Sequence, residues 1–100
     1  MGLIYHITTQ TQWDASKGAD QYTVPSLQEE GFIHCSDEGQ VKDIIERFYA
    51  GATDVIVLSI DTDKLTSQLI FEWSPSVQQT FPHIYGPINT NAVTASVPWS

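Results

Sequence analysis

One hundred residues, 41% of them apolar and eleven aromatic, are enough for one domain with one core and no need of metal or disulfide staples. Twelve acidic residues against four basic ones (Lys17, Lys42, Arg47 and Lys64) give a formal charge of -8, which repels the backbones of long nucleic acids but leaves room for a small nucleotide held on backbone N–H groups. The only cysteine, Cys35, excludes an intrachain disulfide, and no run approaches the roughly 18 apolar residues of a membrane span, so the expected setting is cytoplasmic, with no membrane partner.

Leu3 to Ile7 is a short β-rich run. Thr8 or Thr9 followed by Gln12 has the spacing of a helix N-cap and its capping-box partner, which predicts a helix to about Lys17, ended by Gly18. Tyr22 to Pro25 reads as extended, because a residue before proline is pushed out of the α region. Ser26 and Glu29 repeat the capping-box spacing and predict one helical turn before Gly31. Gly31-Phe32-Ile33-His34-Cys35 is a second strand, with Ser36 as N-cap of the next helix. There Val41, Ile44, Ile45 and Phe48 form one apolar stripe opposite Lys42, Asp43, Glu46 and Arg47, and Gly51 is the stop. Val55 to Ile60 predicts a central strand buried on both faces. After the Asp61 to Leu65 turn, strands are predicted at Leu69 to Trp73, Ile84-Tyr85 and Val93 to Val97. Helices in the first half and strands to the end make a small single α+β domain, without repeat or linker. Trp13, Phe48, Tyr49, Phe71, Trp73 and Phe81 are expected mostly in the core, with one or two left to line a ring-stacking pocket.

The three histidines stand in similar settings, each with a hydroxyl two positions on: His6 and Thr8, His34 and Ser36, His83 and Tyr85. Residues two apart on a strand share a face, so each imidazole is expected beside an O–H, and three such pairs can converge on one site. The alternative is three ordinary core or boundary histidines, each satisfied locally. Glu72 lies between Phe71 and Trp73. It either points to solvent or faces the histidines, where burial would raise its pKa and make it an acid or base. Asp61 and Asp63 are read as turn-formers. Cys35 and His34 are strand neighbours on opposite faces, an arrangement that does not make His34 its base. The wide spacing of the histidines, without a His-x-x-x-His or Cys-x-x-Cys element, predicts no metal site.

Ile4-Tyr5-His6-Ile7-Thr8, Glu30 to Ser36 with Gln40, Arg47-Phe48-Tyr49, and Phe81 to Pro87 resemble the strings of the bacterial family called domain of unknown function 952, over nearly the whole chain. The resemblance implies an ADP-ribosyltransferase-like fold, a split antiparallel sheet with a cleft for NAD. It thereby implies a nucleotide of the NAD or ADP-ribose type as ligand, with ADP-ribose transfer or NAD cleavage as the chemistry of that class. On the same basis His6 and Thr8 would hold the nicotinamide amide and ribose, and His34 and Ser36 would shape the nicotinamide pocket. His83 and Tyr85 stand where transferases usually carry a glutamate, for which Glu72 is a substitute. Two other readings stay open. One is a non-catalytic module that binds a small ligand or protein in the same cleft. The other is a two-histidine phosphoesterase, in which His6 and His83, from His-Ile-Thr and His-Ile-Tyr, act as base and acid.

Overall fold

The structure, a computed structural model, describes residues 2–99. Strand β1 (Leu3–Thr9) runs straight into helix α1 (Gln10–Asp14), capped by Thr9, whose Oγ1 accepts the Gln12 N–H at 3.1 Å. The helix stops well short of Lys17. Beyond Trp13 the residues Ala15, Ser16 and Lys17 offer no apolar stripe to bury, and the chain turns on Ser16 N–H to Trp13 O and Ala19 N–H to Ser16 O.

Strand β2 (Gln21–Tyr22) leads to α2 (Pro25–Glu30) and β3 (Ile33–His34). Pro25, whose fixed φ suits a first helical position, starts α2, so the cap falls on Val24 and the Ser26 capping box is not used. Ser26 Oγ instead donates to Phe32 O at 3.0 Å. Gly31 closes α2 at φ 88°, a left-handed value that glycine adopts without Cβ strain. A 3-10 turn over Glu38–Gln40 then enters α3 (Val41–Phe48). The cap there is Asp37, not Ser36: Asp37 Oδ1 accepts the Gln40 N–H at 3.1 Å, and Gln40 Oε1 accepts the Asp37 N–H at 3.0 Å. Ser36 has another use, described below.

The second half holds β4 (Val55–Asp61), β5 (Gln68–Ser74), β6 (Gln79–Tyr85), β7 (Ile88–Asn89) and β8 (Val93–Pro98). Strand β6 has seven residues where the sequence predicts two. Pro82 and the polar Gln79, Thr80 and His83 disguise it, yet β6 is the middle strand of its sheet, and the Pro82 carbonyl takes the Cys35 N–H at 3.0 Å.

All pairings are antiparallel, in the orders β1-β4-β8, β3-β6-β5 and β2-β7. As predicted, β4 is central; one of its faces is buried throughout, and the other is buried at Val55 and half-buried at Val57 and Ser59. Ile56, Leu58 and Ile60 enter the main core with Ile4, Tyr22, Ile33, Ile84 and Ile88, while Val55 meets Ile7, Val41 and Ile45 on the side of α3. Each fully buried aliphatic side chain contributes about 1.5–3 kcal/mol. The aromatic residues depart from expectation: Phe48, Phe71 and Trp73 are 64%, 58% and 62% exposed. Isoleucines and Tyr22 fill the core, leaving these rings on the edge strand β5 and at the end of α3. Among the described residues no helix is long and apolar enough to cross a membrane.

The two three-stranded sheets touch through one isolated bridge, Tyr5 with Ser36, in which Tyr5 N–H reaches Ser36 O at 2.8 Å and Ser36 N–H reaches Tyr5 O at 2.7 Å. Past that bridge β1 and β3 part.

Candidate functional site

A cleft of about 500 Å³ opens where the strands part, a size typical of small-molecule sites. His6, Thr8 and Thr9 of β1 line it on one side, and His34, Cys35 and Ser36 on the other. The end of α3 adds Ile44, Phe48 and Tyr49, and the β5–β6 turn adds Ser74, Ser76 and Val77. In an antiparallel strand the N–H and C=O of alternate residues face the same edge. Since Tyr5 bonds Ser36, the backbone of Ile7 faces the cleft edge too: its carbonyl accepts the Tyr49 hydroxyl at 3.3 Å, and its N–H is turned to the opening.

His6 is buried at 5% exposure and spans the split. Its Nδ1 lies 2.7 Å from the His34 carbonyl, which can only accept, so Nδ1 carries a proton. Its Nε2 is 2.9 Å from the Tyr22 hydroxyl, itself 2.9 Å from Thr8 Oγ1. Burial lowers the His6 pKa from 6.5 to about 4 against the opposing pull of the His34 carbonyl, which leaves the ring neutral near pH 7. A neutral ring protonated at Nδ1 offers Nε2 only as an acceptor, and the Tyr22 hydroxyl bridges it to Thr8 Oγ1, which accepts from Tyr22. Burial, the larger effect, pushes the Tyr22 hydroxyl pKa up and keeps it a donor. Thr8 and His6 are thus joined as their spacing predicts, but through Tyr22, which sequence reasoning missed. Tyr22 reads only as an extended residue before Pro25, and no local pattern reports a partner 16 positions away.

His34 and His83 are direct register partners on β3 and β6, with ring centroids 5.3 Å apart and nearly perpendicular. The His34 ring is half exposed at the cleft rim and meets Glu30 Oε2 at 2.8 Å. Ser36, its supposed partner, engages Tyr5 through the backbone instead. His83 lies under Phe32, the rings stacked at 4.0 Å and 14°. Its Nδ1 donates to Glu72 Oε1 at 2.8 Å, and Tyr85 Oη donates to the same oxygen. Among the described residues no buried side-chain N or O lacks a partner, so Nε2 of His83, which takes part in no hydrogen bond, reaches solvent.

Glu72 therefore faces a histidine, one of the two placements the sequence leaves open, but the expected rise in its pKa does not occur. The Tyr85 hydroxyl and then the His83 N–H hold the carboxyl below its ordinary range, because the carboxylate is only partly shielded and doubly hydrogen-bonded. It is an ionised acceptor. The same bond pushes the Tyr85 pKa up. Chemically, Glu72 fixes the Nδ1–H tautomer of His83 and leaves Nε2 as a base, as carboxylate–imidazole pairs do in general.

The predicted residues thus form two connected groups. His6, Thr8, His34 and Ser36 line the cleft, whereas Glu72, His83 and Tyr85 lie next to it on the outer face of β5 and β6, linked to the rim by the His34–His83 ring contact. This division runs against the phosphoesterase reading, which needs His6 and His83 in one opening: His83 is outside the cleft, and both nitrogens of His6 are engaged within the protein. Burial pushes the Cys35 thiol pKa up, so it is not a nucleophile at neutral pH. Among the described residues no three His, Cys, Asp or Glu side chains are grouped to hold a metal ion.

The architecture is shared with protein CC0527 from Caulobacter crescentus. Its X-ray crystal structure matches with a TM-score of 0.87 at 27% identity, over 99% of this chain and 87% of that one. Its solution NMR structure matches with a TM-score of 0.82 at 28% identity, over 98% and 84%. No curated protein matches the chain. The model of the family described as Protein of unknown function (DUF952) matches residues 7–96, which hold every cleft residue but His6 and the whole Glu72–His83–Tyr85 group, and the chain belongs to that family.

Proposed function

We propose that the chain binds a nucleotide of the NAD or ADP-ribose type, with its ring-and-ribose end in the cleft between β1 and β3. One observation carries the reading: the splayed strand edges face each other across about 500 Å³, offering the Ile7 N–H and the Thr9 and Ser36 hydroxyls beside the aromatic Phe48, Tyr49 and Phe81. Flat ring surfaces with a few fixed polar groups suit a heterocycle bearing an amide and a ribose. His6 contributes by positioning. Its bond to the His34 carbonyl holds the two walls at a set distance, and it touches the ligand through its ring edge, not its nitrogens. Two antiparallel three-stranded sheets joined at one bridge support an ADP-ribosyltransferase-like form of the α+β fold.

Calorimetric titration with NAD, ADP-ribose and nicotinamide tests this. At least one should bind, and His34→Ala, which removes a half-exposed ring, should weaken binding without changing the melting temperature. No binding by any of the three removes the proposal.

A second reading, cleavage of the bound nucleotide or transfer from it, is favoured by the Glu72–His83 pair, whose solvent-facing Nε2 lies one ring beyond the cleft rim. Incubation with NAD should then release nicotinamide at a rate that His83→Ala abolishes. Binding without release would leave a non-catalytic module.

A further inference from the structure

The side chains lining the cleft include no Asp, Glu, Lys or Arg. Of the four basic residues in the chain, Lys17 is held by Asp14 at 3.1 Å and Arg47 by Asp43 at 2.9 Å, while Lys42 and Lys64 do not line the cleft. A phosphate placed inside would lose water without gaining a counter-charge, in the field of a chain with formal charge -8. A positively charged ring meets the opposite balance. Phe48, Tyr49 and Phe81 present aromatic carbon, whose ring faces attract cations, and the net charge of the chain favours it further. Phe48 lines the cleft and is 64% exposed, so a ligand stacked on it would cover apolar ring surface that now meets water.

We infer that the cleft selects its ligand by charge: it admits an organic monocation with a flat ring carrying a quaternised nitrogen, and keeps phosphate groups outside. The inference rests on the nucleotide reading and deepens it. The oxidised nicotinamide ring is the part that enters, and the diphosphate lies beyond the mouth.

Calorimetry on the full chain with two matched pairs tests it. The first pair is 1-methylnicotinamide against nicotinamide, which differ by a quaternised nitrogen; the second is NAD against NADH, which differ in ring charge. The member of each pair with the cationic ring should bind about tenfold tighter, the scale of a partly desolvated cation–π contact. Phe48→Leu keeps an apolar side chain on an exposed position and should shrink that ratio about twofold, the share of one of three rings contributing equally. Equal affinity within a pair that binds overturns charge selection and leaves the nucleotide reading intact. Binding of 1-methylnicotinamide but not of NAD or ADP-ribose supports charge selection and removes the nucleotide reading. No binding by any of the four or by ADP-ribose overturns both.

Discussion

Acid should destabilise this fold through His6 before the carboxylates respond. The imidazole titrates at about 4 when buried in the folded chain and near 6.5 when exposed in the unfolded one. Between those values the unfolded chain binds a proton that the folded chain refuses, so stability falls as pH drops from 6.5 and levels off below 4. Each unit of difference is worth about 1.4 kcal/mol. Integrated over the window, the loss from pH 7 is about 2 kcal/mol at pH 5 and about 3 kcal/mol at pH 4. That is a large fraction of the total stability of a domain this size. Urea unfolding followed by tryptophan fluorescence at pH 7, 6, 5 and 4 measures it, with His6→Gln as reference so that other titrating groups cancel. The stability difference between the two chains should shift by about 3 kcal/mol against the native chain as pH falls to 4. Parallel curves, within about 0.5 kcal/mol, would show that His6 is not held neutral by burial and would refute the direction assigned to its hydrogen bonds.

Tyr22→Phe removes the hydroxyl between His6 Nε2 and Thr8 Oγ1 and leaves two buried polar atoms unpartnered, which should cost about 1–3 kcal/mol in urea unfolding at pH 7. Glu72→Gln removes the carboxylate that accepts from Tyr85 and His83. The Tyr85 pKa should fall back toward 10 in an ultraviolet titration, and nitrogen-15 spectra should show His83 losing its preference for Nδ1–H. An unchanged tautomer would contradict the positioning role of Glu72. Gly86→Ala places a Cβ 2.5 Å from Ser67 Oγ and 2.9 Å from Ser67 Cβ, an overlap that should cost about 1–3 kcal/mol and be partly restored by adding Ser67→Gly.

The sequence carries those features that are written locally. Val55 to Ile60 announces a central strand because nearly every residue suits an apolar face, and Thr9 with Gln12 announces a cap because both partners lie within one turn. Strand β6 is obscured because its buried residues include Pro82 and His83, which no alternation rule counts as core. The even spacing of His6 with Thr8 and His83 with Tyr85 correctly puts each pair on one face. It cannot reveal that a third residue, Tyr22 or Glu72, stands between them, since those partners are supplied by the fold across 11 to 16 positions. The aromatics illustrate the same limit. Size alone suggests burial, but isoleucines have already filled the interior.

The single Tyr5–Ser36 bridge has a consequence for inheritance. Beyond it, main-chain groups that a continued ladder would have consumed face an opening, and main-chain groups are common to every amino acid. On the proposed reading, recognition by those groups passes unchanged through a substitution at Ile7, so relatives can keep one binding preference while sharing little of their lettering. What such a site depends on is the angle at which two strands separate, and the histidine that holds it.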